Sequence, residues 1–463
     1  MKLHDTITAI ATPIGTGGIA ILRISGADAE TVAGRILSAR EELSRWESHK
    51  LTLCRAHRLD DPERYLDRVL AVVMRAPHSY TGEDVVEIHC HGGFLVADRI
   101  LKELLIAGAR LAEGGEFTRR AFLNGKTGLD EAEAVMDVID ARSELGLENA
   151  ARALQGGLKE KIDALREEVM KLTAHISAAA DYPEEVEAPE RQETAENLTV
   201  LKKEIRALLG TFETGRMLRD GIQTVIVGRP NVGKSSLLNA LARCDKAIVT
   251  DIPGTTRDVI EETVNLGGVA LRLLDTAGLR RSDDEVEKIG INRAREKMET
   301  ADLCLFVIDS SRELSLEDEE IAGELPDCAG LVLLNKTDCG QRITRAELAE
   351  KLNIPPESIL ETAVPKTGKA LGIEELEQAI SKLFLEQKVQ PGQVYLSNVR
   401  QRDALQKALD ALVRAEAGNA TEMPYDLLFV DLEDVLSALG EVTGLTVQEE
   451  IVDQVFSRFC VGK

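Results

Sequence analysis

The stretch Thr224-Val-Ile-Val-Gly-Arg-Pro-Asn-Val-Gly-Lys-Ser-Ser-Leu-Leu238 reads as a β-branched strand, a glycine-punctuated turn and the opening of a helix. It contains G-x-x-x-x-G-K-S in the strand-to-helix setting that a phosphate loop requires. Gly228 and Gly233 let the backbone curl so that successive N–H groups, from Asn231 and Val232 through Gly233 to Ser235 and Ser236, face a polyphosphate. Lys234 is placed to neutralise the β- and γ-phosphates, and the Ser235 hydroxyl to meet Mg²⁺.

Working outward, residues 222–384 alternate strand-like and helix-like segments, which predicts a doubly wound α/β domain around that loop. Roughly a hundred residues downstream, Asn335-Lys-Thr-Asp338 follows the apolar run Leu331–Leu334. A carboxylate at Asp338 can accept both N1–H and N2–H of guanine, whereas adenine offers no such donor pair, so Asn335, Lys336 and Asp338 point to GTP and GDP over ATP. Between the two motifs, Asp275-Thr-Ala-Gly278 provides a Walker-B-like acid at Asp275. Thr276 and Ala277 lead to Gly278, an N–H for the γ-phosphate. Upstream, Gly254-Thr-Thr-Arg-Asp258 offers the Thr256 hydroxyl as a second Mg²⁺ ligand.

The flanks differ. The first 120 or so residues mix short apolar strands, Ile19–Ile24 and Arg68–Met74, with Gly-rich turns and a helical stretch from Gly92 to Ile106, an α+β pattern. From Leu158 the apolar positions Leu158, Ile162, Leu165, Val169, Leu172 and Ile176 step by fours and threes, which predicts a long amphipathic helix. An acidic, Pro-containing connection, Tyr182–Glu190, follows, and then a helix from about Glu193 to Met217. Beyond 385 the chain is helical again, with Leu405, Leu409 and Leu412 on one face. The expected organisation is therefore a multidomain α/β chain: an N-terminal α+β domain (1–120), a helical domain (121–215 and 385–463), and a P-loop domain inserted into it (216–384).

Composition sets limits. The 463 residues carry 56 basic against 80 acidic side chains, a formal charge of −24, and only 3% are aromatic. That balance argues against a broad electrostatic clamp or a base-stacking platform for nucleic acid. The charge-free stretch Thr6–Leu22 holds a Pro and three Gly, so it is expected to be neither a membrane helix nor a signal sequence. Seven scattered Cys without a C-x-x-C pair fit reduced thiols in the cytoplasm, and no membrane association is expected.

The ordered set of motifs resembles the translation-factor-related GTPases. Over the whole chain, from Asp5-Thr-Ile through Gly254-Thr-Thr-Arg-Asp258 to the terminal Cys460-Val-Gly-Lys463, it resembles the MnmE (TrmE) family of tRNA modification GTPases. Val461 departs from the family's usual Ile. Leu279 stands where Ras-like enzymes carry a water-orienting Gln, so another group must hold the attacking water. The resemblance implies Glu287 as a general base; spacing alone leaves Asp283, Asp284 and Glu285 open as well. It also implies K⁺ in place of an arginine finger, bound by Asn231 with oxygens of Thr250, Ile252 and Thr255 when two G domains meet; Arg257, Arg280 and Arg281 are the other candidates for that charge. The family's Ser-Ala-Lys/Arg element, which supports the guanine, is Thr362-Ala363-Val364 here.

For the N-terminal domain the resemblance implies a tetrahydrofolate site and homodimerisation. A 5-formyltetrahydrofolate or related folate would be held by Arg23, Glu87 and Lys126 with Lys463 from the tail. Glu87 suits the amino-pyrimidine donors and the cations suit glutamyl carboxylates. Cys460 reads either as a reactive thiol or as a packed helix-end cysteine. His89 and His91 look metal-like but lack a third ligand at standard spacing.

The resulting expectation is a homodimeric, Mg²⁺- and K⁺-dependent GTP hydrolase. With an MnmG (GidA) type FAD protein, it would install an aminomethyl or carboxymethylaminomethyl group at C5 of the wobble uridine of certain tRNAs. The acidic balance assigns most of the tRNA contact to that partner. The competing readings are a ribosome-assembly GTPase switch of the Era type and a stand-alone folate-dependent transferase.

Overall fold

The computed structural model of the protein describes residues 5–13, 15–244, 262–274, 300–323, 329–365, 369–386, 389–390, 392–457 and 459–463. Within the first 126 residues lie β1 (Ile7–Ile10), β2 (Ile19–Ser25), α1 (Ala29–Gly34), β3 (Leu37–Ser38), β4 (Thr52–His57), β5 (Tyr65–Met74), β6 (Val85–His91), α2 (Phe94–Ile106), β7 (Arg110–Leu111) and α3 (Glu116–Leu123). The seven strands form one sheet in the order β3-β4-β5-β6-β2-β1-β7, antiparallel except for the β1–β7 pair.

Strand alternation sorts its residues cleanly. Leu22 and Ile24 on β2 and Val86 and Ile88 on β6 are buried against α1 and α2. The intervening Ile21, Arg23, Glu87 and His89 occupy the other face. There Ile19, Leu53, Tyr65 and Leu70 are exposed, so this side of the sheet keeps a broad apolar surface.

Next come α4 (Leu129–Asp140), α5 (Glu144–Leu154), α6 (Gly157–Asp181), α7 (Arg191–Leu209) and α8 (Phe212–Asp220). The single helix expected over Glu193–Met217 is two. Gly210 caps the first, and the Thr211 hydroxyl donates to the Leu208 carbonyl at 2.6 Å while accepting from the Leu396 amide at 3.1 Å. A tertiary partner nearly two hundred residues away fixes that break, so local pattern does not register it.

The α/β unit contains β8 (Ile222–Val227), α9 (Lys234–Cys244), β9 (Glu262–Leu266), β10 (Val269–Leu273), β11 (Leu303–Asp309), α10 (Leu316–Gly323), β12 (Ala329–Asn335), α11 (Arg345–Leu352), β13 (Ile359–Glu361) and α12 (Ile373–Phe384). Its sheet runs β13-β12-β11-β8-β10-β9, parallel throughout except for β9 at the edge. Both faces are covered, with Ile222 and Ile226 in one core and Val225 and Val227 in the other. That is why β8 reads as an unbroken apolar run.

The chain then returns through Val394–Ser397 to α13 (Val399–Ala420), α14 (Tyr425–Thr443) and α15 (Glu449–Phe456). α6, α7, α13 and α14 form a bundle around Ile162, Val169, Ile205, Leu405, Leu412 and Leu432. The segments entering and leaving the α/β unit lie against each other: a Cβ on Gly215 would stand 2.0 Å from the Leu396 carbonyl oxygen. The Tyr395 amide also donates to Asn149 Oδ1 at 3.1 Å. α15 packs on α3, with Phe456 stacked obliquely between Phe122 and Phe459. No described helix is long and apolar enough to cross a membrane.

Candidate functional site

The phosphate loop leaves β8 at Val227 and enters α9 at Lys234. Two of its glycines are dictated by space as well as by backbone. Gly228 has φ +141°, and a Cβ there would stand 2.3 Å from the Val307 carbonyl oxygen. Gly233 has φ +107°, and its Cβ would stand 2.2 Å from Asn335 Nδ2. Only a residue without a side chain lets the loop close on its neighbours like this. Lys234 Nζ donates to the carbonyls of Gly228 and Arg229 at 2.5 and 2.8 Å, so its ammonium lies over the mouth of the loop. Ser235 and Ser236 are exposed in the first turn of α9, and Val232 is buried beneath it.

Asn335-Lys-Thr-Asp338 leaves β12 directly against this loop. Asn335, 1% exposed, donates through Nδ2 to the Val232 carbonyl at 2.9 Å. Its Oδ1 accepts from the Thr362 hydroxyl at 3.2 Å. Lys336 Nζ donates to the Asn231 carbonyl at 2.6 Å and to Asp309 Oδ2 at 2.7 Å. Asn231 itself has φ +62°. Asp338 is exposed two residues farther on. Burial pushes the Asp309 carboxyl up, but hydrogen bonds from Lys336 and Ser311 outweigh it and hold the group below its ordinary value.

Thr362, fully buried, also accepts from the Thr337 amide and hydroxyl at 3.3 and 3.2 Å. The threonine at this position therefore braces the Asn335–Asp338 loop from behind. Ala363 is buried and bridged to Leu371, and Val364 is half-buried. The remaining expected residues of this site, Thr250, Ile252, Thr255, Thr256, Asp275, Thr276, Ala277, Gly278 and Glu287, lie outside the described residues.

In the N-terminal domain, Arg23 and Glu87 are register partners on β2 and β6, joined Nε to Oε1 at 2.8 Å. The Arg23 guanidinium also lies over the Tyr80 and Phe117 rings, 5.0 and 5.7 Å from their centroids. Phe117 in turn donates its amide to the Lys463 carbonyl at 3.2 Å, bringing the tail to the same place. The tail is seated by a bridge between Gly114 and Val461 and by Gly462, at φ +100°, where a Cβ would stand 2.5 Å from the Ile10 carbonyl oxygen. Arg23, Glu87 and Lys463 thus gather around Phe117. Lys126 donates to the Pro77 carbonyl at 3.0 Å.

Cys460 is exposed on the tail, not packed at a helix end, and its carbonyl accepts from Gly115 at 3.3 Å. His89 approaches Glu87 at 3.4 Å and His91 pairs with Asp67 at 2.7 Å. No group of three or more metal-ligating side chains occurs among the described residues. Sequence reasoning missed Tyr80, Phe117 and Asp309. The one local sign of Asp309 is a carboxylate ending the apolar run Leu303–Ile308.

Comparison with known proteins covers the whole chain. The family profile described as GTP-binding protein TrmE N-terminus matches residues 6–126, and that described as MnmE helical domain matches residues 129–460. The tRNA modification GTPase MnmE of Clostridioides difficile (strain 630) is 45% identical over 465 residues, covering 100% of both chains. That of Bacillus subtilis (strain 168) is 45% identical, over 99% of this chain and 100% of the relative. Among solved structures, the G domain of the T. maritima FeoB iron transporter is 30% identical. It covers 35% of this chain and 97% of its own, with a TM-score of 0.25. On full-length identity to those relatives, and on both profiles, this chain belongs to the MnmE family of tRNA modification GTPases.

Proposed function

We propose that this chain hydrolyses GTP to drive a tRNA modification, the conversion at C5 of the wobble uridine, in company with an FAD protein of the MnmG type. The observation that carries the reading is the bond from Asn335 to Val232, which sets a guanine-selecting loop directly on a phosphate loop. The close fit of Gly228 and Gly233, with the ammonium of Lys234 above them, suits a bound polyphosphate. Ser235 and Thr256 would hold Mg²⁺, which neutralises phosphate charge when bound. Asn231, with Thr250, Ile252 and Thr255, would hold K⁺, and Glu287 would take the proton of the attacking water.

Arg23, Glu87, Lys126 and Lys463 would bind the folate, the Arg23–Glu87 pair offering polar contacts to the ligand while the buried Phe117 ring backs the Arg23 guanidinium. The open apolar sheet face with Ile19, Leu53, Tyr65 and Leu70 suits the homodimer contact. With a charge of −24, most of the tRNA affinity would belong to the partner.

GTP turnover measured in KCl and in NaCl, with Glu287→Ala as control, tests the hydrolytic reading; equal rates in both salts remove the cation-activated mechanism. Nucleoside mass spectrometry of tRNA from a deletion strain tests the rest. Unchanged wobble uridines would defeat it.

A further inference from the structure

Asp309 closes β11 with a side chain that is 3% exposed, paired in register with Asn335 on β12. A carboxylate that deeply buried needs partners, and it has two sets. Oδ1 accepts from the Ser311 amide at 3.0 Å and hydroxyl at 2.6 Å; Oδ2 accepts from Lys336 Nζ at 2.7 Å. The neighbouring Ser310 amide donates to the Asn335 carbonyl at 2.8 Å, so strand and loop are tied at two successive residues.

Lys336 holds φ +62°, a conformation that residues with a side chain rarely adopt. Its ammonium spans the gap to the phosphate loop through the Asn231 carbonyl. A flexible four-carbon stem does not choose such a position unaided, because holding it costs rotamer entropy. A fixed, buried negative charge beneath the ammonium supplies the restraint.

We propose that Asp309 is a positioning residue for guanine-nucleotide binding, acting through Lys336 to lock the Asn335–Asp338 loop onto the phosphate loop. The inference rests on the reading of 335–338 as the guanine site. It adds a residue that lies outside both motifs and is buried beneath Lys336.

The test is the release rate of a fluorescent GDP analogue, mant-GDP, from the full chain carrying Asp309→Asn, Lys336→Ala, or both, with melting temperature recorded in parallel. Loss of one charge-assisted hydrogen bond is expected to speed release about tenfold in the Asn variant. Because both residues act as one unit, the double variant is expected to release within twofold of Lys336→Ala alone. A merely structural role predicts multiplication of the two effects, and that result overturns the proposal, as does release from Asp309→Asn within twofold of wild type. Should Asp309→Asn not fold, Ser311→Ala removes the hydroxyl donor from the other carboxylate oxygen, leaving only the amide, and is expected to speed release two- to threefold; no change there overturns the proposal equally. A wild-type chain that holds mant-GDP no better than mant-ADP removes the guanine-site reading itself and this inference with it. Retained selectivity with an inert Asp309 overturns the inference alone.

Discussion

Arg216 and Asp302 join the helical part of the chain to the α/β unit: Arg216 Nη2 on α8 donates to Asp302 Oδ1 at 2.6 Å, just ahead of β11. The other oxygen of Asp302 accepts from the Gln223 amide at 2.9 Å, at the start of β8. One turn along the same helix, Arg219 pairs with Asp137 on α4 at 3.0 Å and donates to the Ser397 carbonyl at 3.1 Å. α8 is therefore gripped by charge on both sides.

Replacing Arg216 by Met leaves the Asp302 carboxylate facing one amide in a largely dry setting. Losing one partner of such a pair is expected to cost about 1–3 kcal/mol. Calorimetry of the full chain should show the α/β unit melting earlier; an unchanged midpoint would count against a stabilising joint.

Gly233→Ala sets a methyl group 2.2 Å from Asn335 Nδ2 at a backbone angle of +107°. The loop must then shift away from Asn335. Guanine-nucleotide affinity is expected to fall at least tenfold, with the far-ultraviolet circular dichroism of the chain unchanged. Wild-type affinity by fluorescence titration would refute the crowding argument.

Asp130 on α4 is 2% exposed, and neither carboxylate oxygen has a hydrogen-bond partner among the described residues. Burial, with the nearby Glu131 charge, pushes its carboxyl up from 3.8 to about 6. A raised carboxyl means that the folded state favours the proton. Its penalty is absent below pH 3.8, grows as pH rises to about 6, and is complete above that. Asp130→Asn is therefore expected to stabilise the chain by about 2–3 kcal/mol at pH 7.5 and to make no difference near pH 3.5. Melting curves at the two pH values check the sign.

Gly462→Val adds a branched side chain where a Cβ already stands 2.5 Å from the Ile10 carbonyl oxygen. The tail is expected to leave its seat. Hydrogen exchange at the Gly115 and Phe117 amides, which donate to Cys460 and Lys463, should then quicken at least tenfold. Undiminished protection would show that those amides owe it to something other than the tail.

What sequence made legible was whatever is encoded locally. The run from Thr224 to Leu238 states strand, turn and helix in consecutive residues, and Leu158 to Ile176 spells out one helix face. The break at Gly210 was hidden because Thr211 answers to Leu396. Asp309 was hidden because its meaning lies in Lys336, and Phe117 because Arg23 and Lys463 meet there only in three dimensions. Even the departure at Thr362 became intelligible only with Asn335 beside it: a threonine there keeps a hydroxyl on the asparagine amide. Each of these is a pairing across long sequence separation, which one-dimensional pattern does not carry.

The bond from Leu396 to Thr211 spans 185 positions of chain. For α6 and α7 to pack on α13 and α14, the whole α/β unit is the loop to be closed. A folded insert with adjacent ends shortens that loop to a few effective residues, a saving of about 3 kcal/mol in closure entropy. The architecture thereby favours assembly in which the nucleotide-binding unit folds before the bundle closes. Substitutions that unsettle the phosphate loop should slow assembly of helices they never touch.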